Sequence, residues 1–444
     1  MNHNGGEVSL GQAFWYWLKL GFISFGGPAG QISMMHQELV DKRRWISEQR
    51  FLHALNYCMV LPGPEAQQLA TYIGWLMHGV KGGIVAGALF VLPSLLLLIL
   101  LSWIYLVFGD LPLVAGILYG IKPAVTAIVL LAAWRIGSRA LRHWFLWSIA
   151  GFSFLAMAVF HIPFPAILLG AALLGWVGMR WLPHIFRATP THEAKQDGVV
   201  EALIGDHSPV PEHARFSSRR MLLTLGTGLL LWWAMMGSLW AGFGAEHDLS
   251  LMAWFFTKAA LLTFGGAYAV LPYVVQGGVE HYSWLTATQM MDGLALGETT
   301  PGPLIMVVSF VGFVGGWSKA VLGPDLLLAG GILAASVVTF FTFLPSFLFI
   351  LLGGPLVEAS RNQLRLTAPL TGITAAVVGV IVNLALFFGE HVLFPSGIEG
   401  GLDWLALVWG GVCVGLLYKL EWSILRVIGL SALAGLLVTL TGVN

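Results

Sequence analysis

About 13 apolar segments follow one another along the chain, nearly all expected to be helical and each of a length suited to a bilayer. Trp15 to Met35, Leu52 to His78, Gly83 to Tyr105 and Met221 to Phe243 are examples, parted by short polar breaks. One stretch departs from the pattern. Arg187 to Arg220 is polar, carries Pro190, Pro209 and Pro211 and shows no apolar period, which predicts a flexible linker outside the membrane. Backbone groups surrounded by hydrocarbon must bond within their own segment, so the pattern predicts an all-α polytopic membrane protein. The polar start, Met1 to Gly11, lacks a basic region followed by a cleavable apolar stretch, so the first membrane segments are expected to direct insertion.

The segments repeat. Phe25-Gly26-Gly27, Trp45 and Pro62-Gly63-Pro64 recur as Phe264-Gly265-Gly266, Trp284 and Pro301-Gly302-Pro303, always 239 positions later. Lys19/Lys258, Gln37/Gln276, Val40/Val279 and Leu55/Leu294 keep that offset. Beyond an insertion around Trp317 to Gly330, Leu92-Pro93-Ser94 answers Leu344-Pro345-Ser346. Chance likeness between apolar helices would match leucines, not Gly-Gly and Pro-Gly-Pro. The predicted organisation is a first repeat over residues 1–181, a polar cytoplasmic linker over 182–219, a connecting transmembrane helix over 220–243 and a second repeat over 244–444.

Charge placement sets the relative orientation of the halves, because cytoplasmic loops gather Lys and Arg. Lys42, Arg43, Arg44 and Arg50 follow the first glycine pair, whereas Gln276 to Gln289 holds no Lys or Arg. The loop after the Leu-Pro-Ser helix reverses this, with Asp110 in the first half but Arg361 and Arg365 in the second. Such a flip is the mark of inverted-topology repeats, a common transporter design. With the Lys42–Arg44 loop and Lys81 inside and the Asp110 loop outside, Leu52–His78 and Trp15–Met35 become re-entrant, and Gly83–Tyr105 makes the crossing. Full spans kinked at Pro and Gly are the alternative.

Composition agrees with this reading. Of 444 residues 57% are apolar and only 10% charged, with mean hydropathy +0.81. A soluble domain carries roughly 25% charged residues. The 22 basic and 22 acidic residues balance, so nucleic acid is not an expected partner; the lipid bilayer is. Cys58 and Cys413 lie far apart in apolar segments and suggest neither a disulfide nor a metal. Zinc-protease, P-loop and nucleophile-elbow motifs are absent, and His36, His53, His78 and His161 lack ligand spacing. No enzyme activity, metal or cofactor is expected.

The breaks are where chemistry is expected. A helix restarting at Gly26-Gly27-Pro28, or at Gly265-Gly266, points free N–H groups and a partial positive charge forward, a match for an oxyanion. Ser24 and Thr263 precede these breaks, and Gln31 follows the first. Around Gly63, Pro62 and Pro64 rule out a continuous helix, while Asn56, Tyr57, Gln67 and Gln68 offer donors. Around Gly302, Thr299 and Thr300 do the same. Glu65 and Glu298 are carboxyls at membrane depth, suited to coupling a proton or gating, though a structural carboxyl is the plainer reading; they are not at equivalent repeat positions. Lys122 either neutralises a dianion or snorkels to the interface, and Lys19 and Lys258 are expected as gate charges. Small-residue helix packing is the competing account of the glycines.

Phe25-Gly26-Gly27-Pro28-Ala29-Gly30-Gln31, Arg44-Trp45, Asn56-Tyr57 and Leu61-Pro62-Gly63-Pro64-Glu65-Ala66-Gln67-Gln68-Leu69 closely resemble the chromate ion transporter family. The second half, with Phe264-Gly265-Gly266 and Thr300-Pro301-Gly302-Pro303, resembles that family's second domain. The resemblance implies a multi-pass protein of the bacterial inner membrane that exports chromate, a tetrahedral oxyanion like sulfate, by alternating access and confers chromate resistance. The residues alone reach only a small anion. A sulfate transporter, an anion channel of the same fold and a membrane scaffold holding a partner through the linker are the alternatives; the oligomeric state, a homodimer included, is open.

Overall fold

A computed structural model describes residues 8–181, 202–205, 208, 211–359 and 367–441. Every repeating element among them is helical. Sixteen α-helices are seen, more than the apolar segments in the sequence, because the glycine and proline breaks cut several segments in two.

The first repeat opens with α1 (Leu10–Ile23), capped by Ser9 and Gln12 in a reciprocal capping box, and α2 (Gly27–His36), which starts with Pro28 in its first turn. A wider π-type turn, Gln37–Lys42, extends α2. Then come α3 (Glu48–Cys58), α4 (Glu65–Phe108), α5 (Pro112–Ala140), α6 (Trp144–Ala158) and α7 (Phe164–Trp181). After α8 (Ser218–Phe243) the second repeat presents α9 (Asp248–Leu262), α10 (Ala267–Val275) with its own π turn Gln276–His281, α11 (Ala287–Thr299) and α12 (Val307–Ser318). It closes with α13 (Leu327–Ala359), α14 (Thr367–Leu393), α15 (Trp404–Tyr418) and α16 (Ile424–Thr441). The 239-residue offset maps the π turns onto each other. It maps the N-caps Ser47 and Thr286 likewise, and the left-handed residues Arg44 (φ 53) and Ser283 (φ 50).

The broken segments are re-entrant. α1 has 14 residues, about 21 Å at 1.5 Å per residue, well short of the roughly 30 Å hydrocarbon core. After the break the chain doubles back along α1 toward the end where it began: Trp45 packs on the mid-helix Tyr16 at 5.3 Å, and the Arg43 guanidinium lies over both rings. α3 enters from that end too. α4 bends at His78 and Gly79, the latter at φ 65, so residues 65–77 form a short limb and residues 80–108 a long one. His78 Nε2 meets the Val8 carbonyl at 2.7 Å, which puts the end of the short limb beside the start of α1. The long limb is the crossing.

Part of the polar stretch between the halves is described, and it packs against this same end. Ile204 forms an isolated parallel bridge with Ile46, an Arg50 guanidinium N–H donates to the Ser208 carbonyl at 2.8 Å, and His213 Nε2 meets the Trp75 carbonyl at 2.9 Å. From this linker end α8, about 39 Å long at 1.5 Å per residue, reaches the far end, where Ser250 Oγ donates to the Gly244 carbonyl. The second repeat's hairpins enter from there: Trp284 Nε1 donates to Asp248 Oδ1 at 2.8 Å, closing the same loop that Trp45 closes in the first half. The halves are inverted. Arg361 and Arg365, used above to argue the flip, lie outside the described residues.

At the centre, the long limb of α4 runs antiparallel to α13, with Gly83 against Leu351 and Gly87 against the Phe347 ring. Around them, α5 packs on α16 and α14 on α7, so each repeat's last helix lies on the other repeat. Small residues let these backbones approach, Gly120 meeting Gly435 and Gly175 meeting Gly372. Among the described residues, seven helices are long and apolar enough to cross a membrane.

Candidate functional site: two reciprocal junctions of broken helices

The break in each repeat is bonded to the Pro-Gly-Pro turn of the other. Gly302 N–H donates to the Ser24 carbonyl at 2.9 Å, and Gly63 N–H donates to the Thr263 carbonyl at 2.7 Å. Residues 24 and 263, and residues 63 and 302, are each 239 apart, so one bond is the image of the other. Both turn glycines have φ that side-chain-bearing residues rarely adopt, 130 for Gly63 and 106 for Gly302. Each is crowded by a serine of the opposite repeat: Gly63 faces Ser346 of α13, and Gly302 faces Ser94 of α4. Gln31 strengthens one junction alone, its Nε2 donating to the Gly302 carbonyl at 2.5 Å and the Ser24 carbonyl at 3.1 Å. Its repeat position in the second half is Val270.

Polar atoms without a protein partner collect here. Among the described residues, the hydroxyls of Ser24, Ser94 and Ser346 have no hydrogen-bond partner although the three residues are at most 1% exposed. The amide oxygens of Gln31, Gln67 and Gln68 are in the same condition. Gln67 Nε2 donates to Thr71 Oγ1 at 3.0 Å, and Gln68 Nε2 to the Pro62 carbonyl at 2.8 Å. Buried hydroxyls normally find a partner within the fold. Ser24 and Ser94 stand at the Gly302 junction and Ser346 at the Gly63 junction, and each free hydroxyl is equipped to donate to something that only accepts.

Glycines 26, 27, 265 and 266 all have positive φ, and α2 and α10 restart on them with no side-chain cap. A sequence profile described as chromate transporter matches residues 11–176 and 250–436, two segments whose starts again differ by 239. The chain belongs to that family. It is 34% identical over 445 residues to a chromate transport protein of Pseudomonas aeruginosa, covering 97% of this chain and 93% of the relative. It is 28% identical to a probable chromate transport protein of Synechococcus elongatus, over 87% of this chain and 86% of that one. A chromate transport protein of Cupriavidus metallidurans is likewise 28% identical, over 88% and 85%. No solved structure matches the chain.

The other residues singled out in the sequence divide by position. Glu65, half-buried, is the first residue of α4 beside Gly63. Glu298 is buried and receives a short hydrogen bond from Tyr268. The Tyr57 hydroxyl donates to the Phe349 carbonyl at 2.9 Å, tying α3 to α13, and Asn56 is half-buried beside it. The hydroxyls of Thr263, Thr299 and Thr300 donate back to the carbonyls of Ala259, Leu296 and Gly297. Lys122, half-buried on α5, lies near enough to Asp292 of α11 for their charges to interact. Lys19 is exposed and Lys258 lies 5.7 Å from the Trp254 ring. Ser94 and Ser346 went unmarked in the sequence as site residues. Their signal was there, since each ends a repeated Leu-Pro-Ser.

Proposed function

We propose that this chain exports chromate across the bacterial inner membrane by alternating access between its two inverted halves, and so confers chromate resistance. The pair of junctions is the observation that carries the reading. Chromate is a tetrahedral dianion whose oxygens accept hydrogen bonds. The free hydroxyls of Ser24, Ser94 and Ser346, the uncapped starts of α2 and α10, and the amides of Gln67 and Gln68, which present NH2 after a half-turn, supply donors. No carboxylate has to be neutralised at the serines themselves. The linker end, with Lys42, Arg43, Arg44, Arg50 and Lys81, is taken as cytoplasmic, and residues 182–219 as a cytoplasmic linker between repeats 1–181 and 244–444.

A negative interior helps to expel a dianion: two charges crossing 100 mV are worth roughly 4.6 kcal/mol. Proton coupling adds to that drive, and buried Glu298 is the carboxyl assigned to it, with half-buried Glu65 at the mouth of α4 as a gate. The test is radiolabelled chromate flux in proteoliposomes under imposed pH gradients, with wild type, Glu298→Gln and Glu65→Gln. Saturable flux in wild type, with the pH-driven part lost only in Glu298→Gln, is expected. Normal pH-driven flux in both variants makes the glutamates structural. Sulfate flux without chromate flux overturns the substrate, and a non-saturating leak current makes the protein a channel.

A further inference from the structure

Two tyrosine–carboxylate hydrogen bonds, one buried and one part-buried, join the halves, one toward each end of the bundle. Toward the linker end, Tyr72 on the short limb of α4 donates to Glu358 Oε1 of α13 at 2.6 Å. Toward the far end, Tyr105 on the long limb of α4 donates to Asp292 Oδ2 of α11 at 3.0 Å, and its ring packs on Phe310 of α12 at 5.4 Å. Glu358 is 8% exposed and Asp292 3%. The transport reading above uses neither acid. Tyr268–Glu298, by contrast, lies wholly within the second repeat.

The repeat relates the two places. The 239-residue offset carries Tyr72 to Val311, next to Phe310; the 252-residue offset between the Leu-Pro-Ser triplets carries Tyr105 to Val357, next to Glu358. Tyr105 and Glu358 therefore stand within one residue of each other's inverted image, whereas their partners do not correspond, since Asp292 maps to His53 of α3 and Tyr72 to Val311 of α12. Each bond also stands over one junction. Glu358 follows Ser346, which faces Gly63, by 12 positions of α13, about 18 Å of helix; Tyr105 follows Ser94, which faces Gly302, by 11 positions of α4, about 17 Å. A cleft opened between the short limb of α4 and the end of α13 leads from the linker end to Gly63. A cleft opened between α12 and the end of α4 leads from the far end to Gly302.

Apolar packing would hold these helices together with less desolvation than a buried carboxylate requires. A carboxylate hydrogen-bonded to a phenol, with the Lys122 charge near Asp292 besides, is instead a contact that can be broken and remade, because water re-solvates the groups once the cleft opens. We propose that Tyr72–Glu358 and Tyr105–Asp292 are the two gates of the transport cycle, each closing the path from one end to the nearer junction. The proposal rests on the alternating-access reading. Both gates are closed in this structure, which is the occluded form.

Single-cysteine reporters test this, on a background in which Cys58 and Cys413 are alanine. Ser346→Cys reports on the linker-side path and Ser94→Cys on the far-side path, each labelled with a membrane-impermeant thiol reagent in vesicles of either orientation. A cysteine at exposed Leu203 marks the linker side in a parallel sample. Tyr72→Phe and Glu358→Leu are expected to speed labelling of Ser346→Cys about tenfold from the linker side only, the scale of a lost charge-assisted hydrogen bond. Tyr105→Phe and Asp292→Leu are expected to do the same for Ser94→Cys from the far side only. Unchanged labelling, a gain on the opposite side, or equal gain from both sides, as unfolding produces, overturns the gates. Labelling needs no substrate, so the result stands apart from whether chromate is the cargo.

Discussion

Replacing Ser94 by alanine separates a ligand-binding hydroxyl from a structural one. The side chain is 1% exposed and its Oγ has no partner among the described residues, while its Cβ sits where Gly302 makes its closest approach. Ser94→Ala keeps that Cβ and removes only the oxygen. Leaving a hydroxyl buried and unpaired costs about 1–3 kcal/mol, so the unliganded variant is expected to be as stable as wild type or more stable by up to about 1 kcal/mol. A hydrogen bond to a charged acceptor contributes about 1.5–3 kcal/mol, so its loss should raise the chromate Kd about ten- to a hundredfold. Both quantities come from one purified sample: thermal unfolding without anion, and calorimetric titration with chromate. Ser346→Ala, at the image position, is expected to behave alike. An unliganded protein that melts earlier while its chromate affinity is unchanged would refute the reasoning, because the hydroxyl would then be holding the fold.

Two further substitutions probe how the junctions are built. In Gly302→Ala the new methyl would lie 2.7 Å from Ser94 Cβ at a φ of 106, so a loss of about 2–4 kcal/mol is expected, whereas Gly27→Ala, with open space around it, should lose only about 1–2 kcal/mol; unfolding midpoints that rank the other way would contradict this. Gln31→Leu strips the Gly302 carbonyl of its amide donor and is expected to destabilise by about 1–3 kcal/mol, read by the same melts; an unchanged midpoint would count against it.

The parts of this architecture that were legible in the sequence rest on residues too rare in apolar helices to recur by chance. Gly26-Gly27 and Pro62-Gly63-Pro64, with their images, located all four breaks, and the Lys42–Arg44 cluster against the Gln276–Gln289 loop, which holds no Lys or Arg, pointed to the inversion. What the sequence withheld is pairing across the repeats. Nothing local distinguishes Gly302 bonding to Ser24 from Gly302 bonding to Thr263, because that choice depends on how the long limb of α4 meets α13. Ser94 and Ser346 read as ordinary helical serines until each is seen to face a turn glycine. Tyr57, Thr299 and Thr300 carry the right groups for an anion, yet their hydroxyls donate to carbonyls within the fold. Asp292 and Glu358 became visible only through their tyrosines, which lie 187 and 286 residues away.

The reciprocal bonds between the breaks have a consequence for assembly as well as for mechanics. Gly63 N–H is satisfied only by the other half, so a lone first repeat would hold an unmatched donor at membrane depth. Its natural complement is a partner inserted upside down. A copy inserted the other way up would complete the bond, and α8 fixes both orientations within a single polypeptide.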